Sequence, residues 1–166
     1  MISIKEGGLK DLPVINNLAH AIWPAAYSAI LSPEQLTYML NNIYTLASLE
    51  NQFLYLHHKF IVAYDENVPV GFASFSPEEE VSSVFHLHKI YILPRQQGSG
   101  TGKMLLDYVI NTIKEVGATA LTLNVNRYNK ARFFYEKRGF IIAQEVDIDI
   151  GEGYFMNDYI MELPLK

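Results

Sequence analysis

The chain contains no cysteine, which removes disulfides, Cys-based zinc sites and thiol nucleophiles from consideration. It has no apolar run approaching the roughly 18 residues that a membrane-spanning helix needs. The opening Met1-Ile2-Ser3-Ile4-Lys5-Glu6 lacks the basic and apolar regions of a signal peptide, so a cytoplasmic protein is expected. Positive charge is also scarce. Thirteen Lys and Arg against 18 Asp and Glu leave a formal charge of −5, which argues against a nucleic-acid binder and weakly favours a cationic partner. There is no low-complexity tract, internal repeat or linker. With 49% hydrophobic and 13% aromatic residues, the 166 residues read as one domain, 1–166, with a proper core.

The apolar spacing gives the order of elements. Residues 2–5 read as a strand. Asp11 and Pro13 open a helix whose face is Ile15, Leu18, Ala19 and Ile22, interrupted at Trp23-Pro24. Ser32 as N-cap, Pro33 at the first helical position and Gln35 at the capping-box position start a second helix, striped by Leu36, Met39, Leu40 and Ile43. The period then changes to two. Residues 60–64 and 68–75, around Asp65-Glu66-Asn67, read as a hairpin, and 84–92 as a third strand. A helix over 104–116 stopped by Gly117, a strand over 120–126 and a short helix over 131–138 stopped by Gly139 follow. A closing hairpin of 140–150 and 154–163 turns at Gly151-Glu152-Gly153. This order, strand, two helices, three strands, helix, strand, helix, two strands, implies an α/β fold: a mixed sheet of about seven strands with helices on both faces.

The most informative stretch is Gln97-Gly98-Ser99-Gly100-Thr101-Gly102-Lys103, a glycine-rich turn between a strand closed by Pro94 and an amphipathic helix. Such a turn turns backbone N–H groups toward a phosphate at a helix start, and Lys103 adds a mobile cation. The alternating glycines let a ligand approach the backbone, and some of them are expected at positive φ. A P-loop is excluded, because its first glycine would fall on Gln97 and its Ser/Thr on Met104. The Rossmann fingerprint is excluded as well, because Gly98, Gly100 and Gly102 close one residue early.

Gln97, Gly100 and Gly102 fit the pattern [Q/R]-x-x-G-x-[G/A], and Ala131, Tyr135, Gly139 and Phe140 fit A-x-x-x-Y-x-x-x-G-F. On these two linked motifs the chain resembles the GNAT N-acetyltransferase superfamily over nearly its full length. Ile4-Lys5-Glu6 with Asp11-Leu12-Pro13, and Val62-Ala63-Tyr64-Asp65 with Val70-Gly71-Phe72-Ala73, look like that family's opening and its second and third strands. The N-terminal helices and the tail are similar to polyamine N-acetyltransferases of the PaiA type. The resemblance implies that acetyl-CoA sits where parallel strands 86–92 and 120–126, the fourth and fifth, splay apart. It implies that Ile90, Tyr91 and Ile92 pair with the pantetheine amides and that N–H groups from Gln97 through Lys103 bind the pyrophosphate. The family's asparagine position is Tyr128 here, flanked by Asn126 and Asn129, either of which could reach the cofactor; Asn129 could equally cap the next helix.

The resemblance also implies that Tyr135 protonates the thiolate expelled when an amine attacks the thioester. A base must take a proton from the acceptor amine, whose unperturbed pKa is about 10.4 for a lysine-like group. His86 and His88, on one side of a regular strand, are the candidates, beside a water relay from a more distant carboxylate and a purely structural pair. No third ligand supports a metal there. Trp23, Tyr27 and Tyr38 are candidates to line the acceptor side. Glu78, Glu79, Glu80, Asp147, Asp149, Glu152 and Asp158 could receive a polyamine or a basic peptide. The expected function is transfer of an acetyl group from acetyl-CoA to a primary amine, small or peptidyl, by a possible homodimer. The alternative is a non-catalytic acyl-CoA-binding module.

Overall fold

A computed structural model describes residues 1–79 and 82–166. Seven strands form one sheet in the order β1-β2-β3-β4-β5-β7-β6. They are β1 Ile2–Gly7, β2 Lys59–Asp65, β3 Val68–Pro77, β4 Val84–Ile92, β5 Ala120–Asn126, β6 Ile141–Gly151 and β7 Tyr154–Pro164. All neighbours are antiparallel except β4 and β5. The helices are α1 Leu12–Tyr27, α2 Pro33–Ile43, α3 Leu46–Leu54, α4 Thr101–Glu115 and α5 Ala131–Lys137. No helix among the described residues is long and apolar enough to cross a membrane.

Two cores flank the sheet, as expected for helices on both faces. Leu105, Leu106, Val109 and Ile113 of α4 pack with Leu87, Leu121, Leu123 and Val125 on one face. Leu12, Ile15, Ala19, Trp23, Met39, Leu40 and Leu49 of α1, α2 and α3 pack with Phe60, Val62 and Phe72 on the other.

Several local expectations need correction. Helix α3 joins the two expected N-terminal helices, started by Thr45, whose hydroxyl accepts from the Ser48 N–H at 3.1 Å. Asp11 does not cap α1 forward; its carboxylate accepts backward from Gly8 N–H at 2.7 Å and closes a 3₁₀ turn, Leu9–Asp11. Helix α1 runs through Pro24 to Tyr27, because Trp23 and Tyr27 are both buried there and their packing outweighs one lost hydrogen bond. Ser32 caps α2 as expected, but the Gln35 side chain reaches forward to the Phe155 carbonyl of β7 at 3.0 Å. Helix α4 begins three residues earlier than the spacing suggested, so Gly102 and Lys103 lie inside its first turn.

Gly71 of β3 is where the sheet has no room for a side chain. A Cβ there would come within 2.8 Å of both the Tyr91 carbonyl oxygen and the Ile92 side chain of β4. Gly71→Ala is therefore expected to displace the end of β4 and destabilise the fold by about 1–3 kcal/mol. A urea unfolding curve unchanged from wild type would contradict this account of the contact.

Candidate functional site

Strands β4 and β5 pair only from Val84 with Ala120 to Leu87 with Leu123. Beyond Leu87, β4 keeps its partner β3 through Ile92, while β5 keeps β7 through Asn126. Each strand therefore has one satisfied edge and one free edge, and the free edges face each other across a cavity of about 690 Å³. Ile90, Tyr91 and Ile92 line it from β4, and Leu123, Asn124 and Val125 line it from β5.

An irregularity in β4 decides what this gap carries. Phe75 pairs with Leu87 and Ser74 with Lys89, so His88 is an extra residue opposite none. The bulge reverses the alternation. Leu87, Ile90 and Ile92 pack toward α4, while Lys89 and Tyr91 join the side of the N-terminal helices.

The glycine turn closes one end of the cavity. Gly98 and Gly100 adopt φ of 78° and 88°, conformations costly for any residue with a Cβ, whereas Gly102 is helical. No acceptor within the described residues takes the N–H groups of Gly98, Gly100, Gly102 and Lys103, and all four residues line the cavity with Gln97. A bracket overlooked in the sequence shapes this turn: buried Gln96 accepts through Oε1 from the hydroxyls of Ser99, at 3.2 Å, and Thr101, at 3.1 Å. Ser99 and Thr101 thus support the loop and do not line the cavity. Lys103 is not a free cation; its Nζ lies 2.6 Å from Asp107 one helical turn on. An unfilled row of N–H groups at the start of a helix suits a diphosphate.

The model of the acetyltransferase (GNAT) family matches residues 16–140. This chain belongs to that family. It is 26% identical over 166 residues to the spermidine N(1)-acetyltransferase of Thermoplasma acidophilum, covering 97% of this chain and 96% of that one. It is 43% identical over 94 residues to the [ribosomal protein bS18]-alanine N-acetyltransferase of Haemophilus influenzae, covering 57% of this chain and 58% of that one. In structure it matches the PaiA N-acetyltransferase of T. acidophilum solved with coenzyme A, at a TM-score of 0.82 and 24% identity over 99% of both chains. The chain is thus an acyltransferase of the acetyl-CoA-dependent N-acetyltransferase class.

In this GNAT cavity the sequence candidates divide. Tyr135 of α5 lines the wall, 7% exposed, with its ring edge-on to Phe134 and Phe140. Burial pushes its pKa far up, so the phenol stays protonated. Asn129 lines the cavity and Asn126 does not. Both side-chain oxygens are already engaged, Asn129 by the Ala131 N–H and Asn126 by the Tyr128 N–H, each at 2.9 Å. Of the acceptor-side aromatics, Tyr27 lines the cavity and shares a 2.8 Å hydroxyl contact with Tyr91. Trp23 is core, and Tyr38 donates to the Ile150 carbonyl at the tail hairpin.

His86 and His88 share one face, with ring centroids 5.0 Å apart, but only His88 reaches the cavity. His86 Nδ1 lies 2.7 Å from the Thr122 hydroxyl, which donates to Glu78. His88 Nε2 lies 2.7 Å from the Ser76 hydroxyl, and its ring stacks on His58 at 3.8 Å. Burial, with Lys89 and His86 nearby, lowers His58 to about 4, and burial, with His58, His86 and Lys89 nearby, lowers His88 to about 2. Lys89, held by Gln52 Oε1 at 2.7 Å over the rings of Tyr44 and Phe60, is lowered by burial to about 8. So weakly basic an imidazole as His88 is ill matched to take a proton from an ammonium. Among the described residues no group of three or more His, Asp or Glu side chains could hold a metal. Glu80 of the acidic set lies outside the described residues. Asp147 pairs with Arg127 at 2.6 Å.

The neutral histidines set a pH dependence. The unfolded chain protonates them near pH 6.5 and the folded chain only near 4 and 2, so stability falls as pH drops below 6.5. Each imidazole is expected to cost on the order of 1 kcal/mol between pH 7 and 5. Urea midpoints at the two pH values check this. His58→Gln is expected to lose part of the fall; an identical fall in that variant would acquit His58.

Proposed function

We propose that this chain acetylates a primary amine of a small polyamine-like acceptor, by direct attack of the amine on the thioester of acetyl-CoA. The observation that carries the proposal is one continuous cavity, running from the glycine turn, between the parted β4 and β5, to the hydroxyl-bearing wall of Tyr135 and Tyr27. In this reading the N–H groups of the Gln97–Lys103 turn hold the pyrophosphate, aided by the start of α4. That helix end favours an anion by about 0.3–1 kcal/mol. The free edge at Ile90, Tyr91 and Ile92 pairs with the pantetheine amides as a strand pairs with a peptide. Asn129, which lines the wall, is the asparagine assigned to the cofactor, and Asn126 is assigned to the turn after β5.

The chemistry is then a transfer in which the acceptor ammonium first gives a proton to water. The neutral nitrogen bonds to the carbonyl carbon and gives up a second proton to water, and the carbon–sulfur bond breaks. Tyr135 gives its phenolic proton to the departing sulfur and regains one from solvent. Its burial favours this role, because a phenol that never ionises near neutrality is always a donor. His86 and His88 are assigned to the scaffold of β4, since the first faces Thr122 and the second is too weak a base.

Similarity to the spermidine N(1)-acetyltransferase along nearly the whole chain supports the small-amine acceptor. A second reading, a peptide or protein amine as acceptor, is favoured by the 43% identity to the ribosomal-protein alanine acetyltransferase, though the match spans just over half of either chain. Release of coenzyme A from acetyl-CoA, with spermidine and with an alanine-ended peptide, separates the two. Tyr135→Phe is expected to lower kcat by about 10²–10⁴-fold with the better acceptor, leaving the Kd of acetyl-CoA near its original value. Turnover unchanged by that substitution would remove Tyr135 from the reaction.

A further inference from the structure

One buried charge has no part in this scheme. Asp158 of β7 is 4% exposed, and its backbone pairs with Asn126. It shares a sheet face with Met156, which packs against the N-terminal helices, whereas Tyr159, Met161 and Leu163 pack toward α4. Oδ2 receives only a long contact of 3.4 Å from Asn124 Nδ2, and Oδ1 has no hydrogen-bond partner among the described residues. The nearby Arg127 commits its guanidinium to Glu145, Asp147 and the carbonyls of Val146 and Asp158, not to this carboxylate. A carboxylate removed from water and left half-satisfied is costly, which makes it a site for an incoming cation.

Its position says which cation. Asn124, which touches Asp158 at 3.4 Å, lines the cavity, as does Tyr27. Asp158 does not itself line the cavity; it stands behind Asn124, its backbone opposite Asn126 at the last residue of β5. The carboxylate therefore sits one side chain behind the β5 wall of the cavity, at the open end of that strand. The attacking nitrogen must be neutral, and an ion pair would hold it protonated. A second ammonium on the same acceptor has no such conflict.

We propose that Asp158 binds the non-reacting ammonium of a diamine or polyamine acceptor, through its unpartnered Oδ1, and so selects such acceptors over monoamines. This rests on the amine-acetylating function proposed above. The test compares 1,5-diaminopentane with n-pentylamine, by coenzyme A release from wild type and Asp158→Asn. Wild type is expected to show the lower KM for the diamine. In the variant that KM is expected to rise about 30-fold, with kcat, the pentylamine KM and the Kd of acetyl-CoA nearly unchanged. Equal wild-type KM values for the two amines overturn the proposal without any variant. So does a variant that keeps the diamine KM, or one that weakens both amines alike, since that marks a structural role. In each of these cases the acetyltransferase function stands. A wild-type protein that acetylates neither amine, nor spermidine, overturns the small-amine function and this subsite with it.

Discussion

β4 and β5 stay hydrogen-bonded for four residue pairs and then part, and the divergence shapes everything else in the molecule. Two parallel strands that separate inside a sheet leave two rows of unpaired N–H and C=O groups, which is unfavourable unless something else takes them. Here each strand is held along its outer edge, β4 by β3 and β5 by β7, so neither edge needs the other to remain a strand. The backbone is thus rigid on one side and open on the other. A pantetheine arm carries amides that match such an edge.

The bulge at His88 gives the gap two different sides. Toward α4, Leu87, Ile90 and Ile92 continue an apolar core that supports the glycine turn and its helix. Toward the N-terminal helices, Lys89 and Tyr91 meet Gln52, Tyr44 and Tyr27, and His88 meets His58. Without the extra residue, Lys89 would point into the apolar side. The polar face is built mostly from neutral groups, imidazoles held unprotonated and phenols held protonated, around a lysine that, lowered to about 8, still carries its charge at neutral pH. The Asp158 carboxylate is buried on that same face, behind the cavity-lining Asn124.

Much of this was legible in the sequence, for local reasons. Val84–Ile92 and Ala120–Asn126 read as strands because their alternation is regular and their ends are punctuated. The glycine turn announced itself because Gly98 and Gly100 supply a conformation that other residues adopt only under strain. Helix α3 was missed although Thr45 is an ordinary N-cap and Leu46, Leu49 and Phe53 have helical spacing; the stripe is short and half exposed. The bulge left no local signature, since His88 and Lys89 are unremarkable in a strand and only the pairing with β3 reveals the slip. Gln96 was hidden for a related reason, and Asp158, though named among the acidic candidates, could not be singled out from them. Their partners, Ser99 and Thr101 in one case and Asn124 in the other, matter through burial, which spacing does not encode. His86 and His88 suggested a base on residue type alone, and the surroundings that make them weak come from distant segments.

The central claim is that free backbone donors in the turn before α4 hold the diphosphate of coenzyme A. Amide hydrogen exchange of the intact protein, with and without coenzyme A, reads those donors directly. The account predicts marked slowing at Gly98, Gly100, Gly102 and Lys103 when coenzyme A binds, together with slowing along Ile90 to Ile92. Saturable binding with no protection in the glycine turn would contradict it.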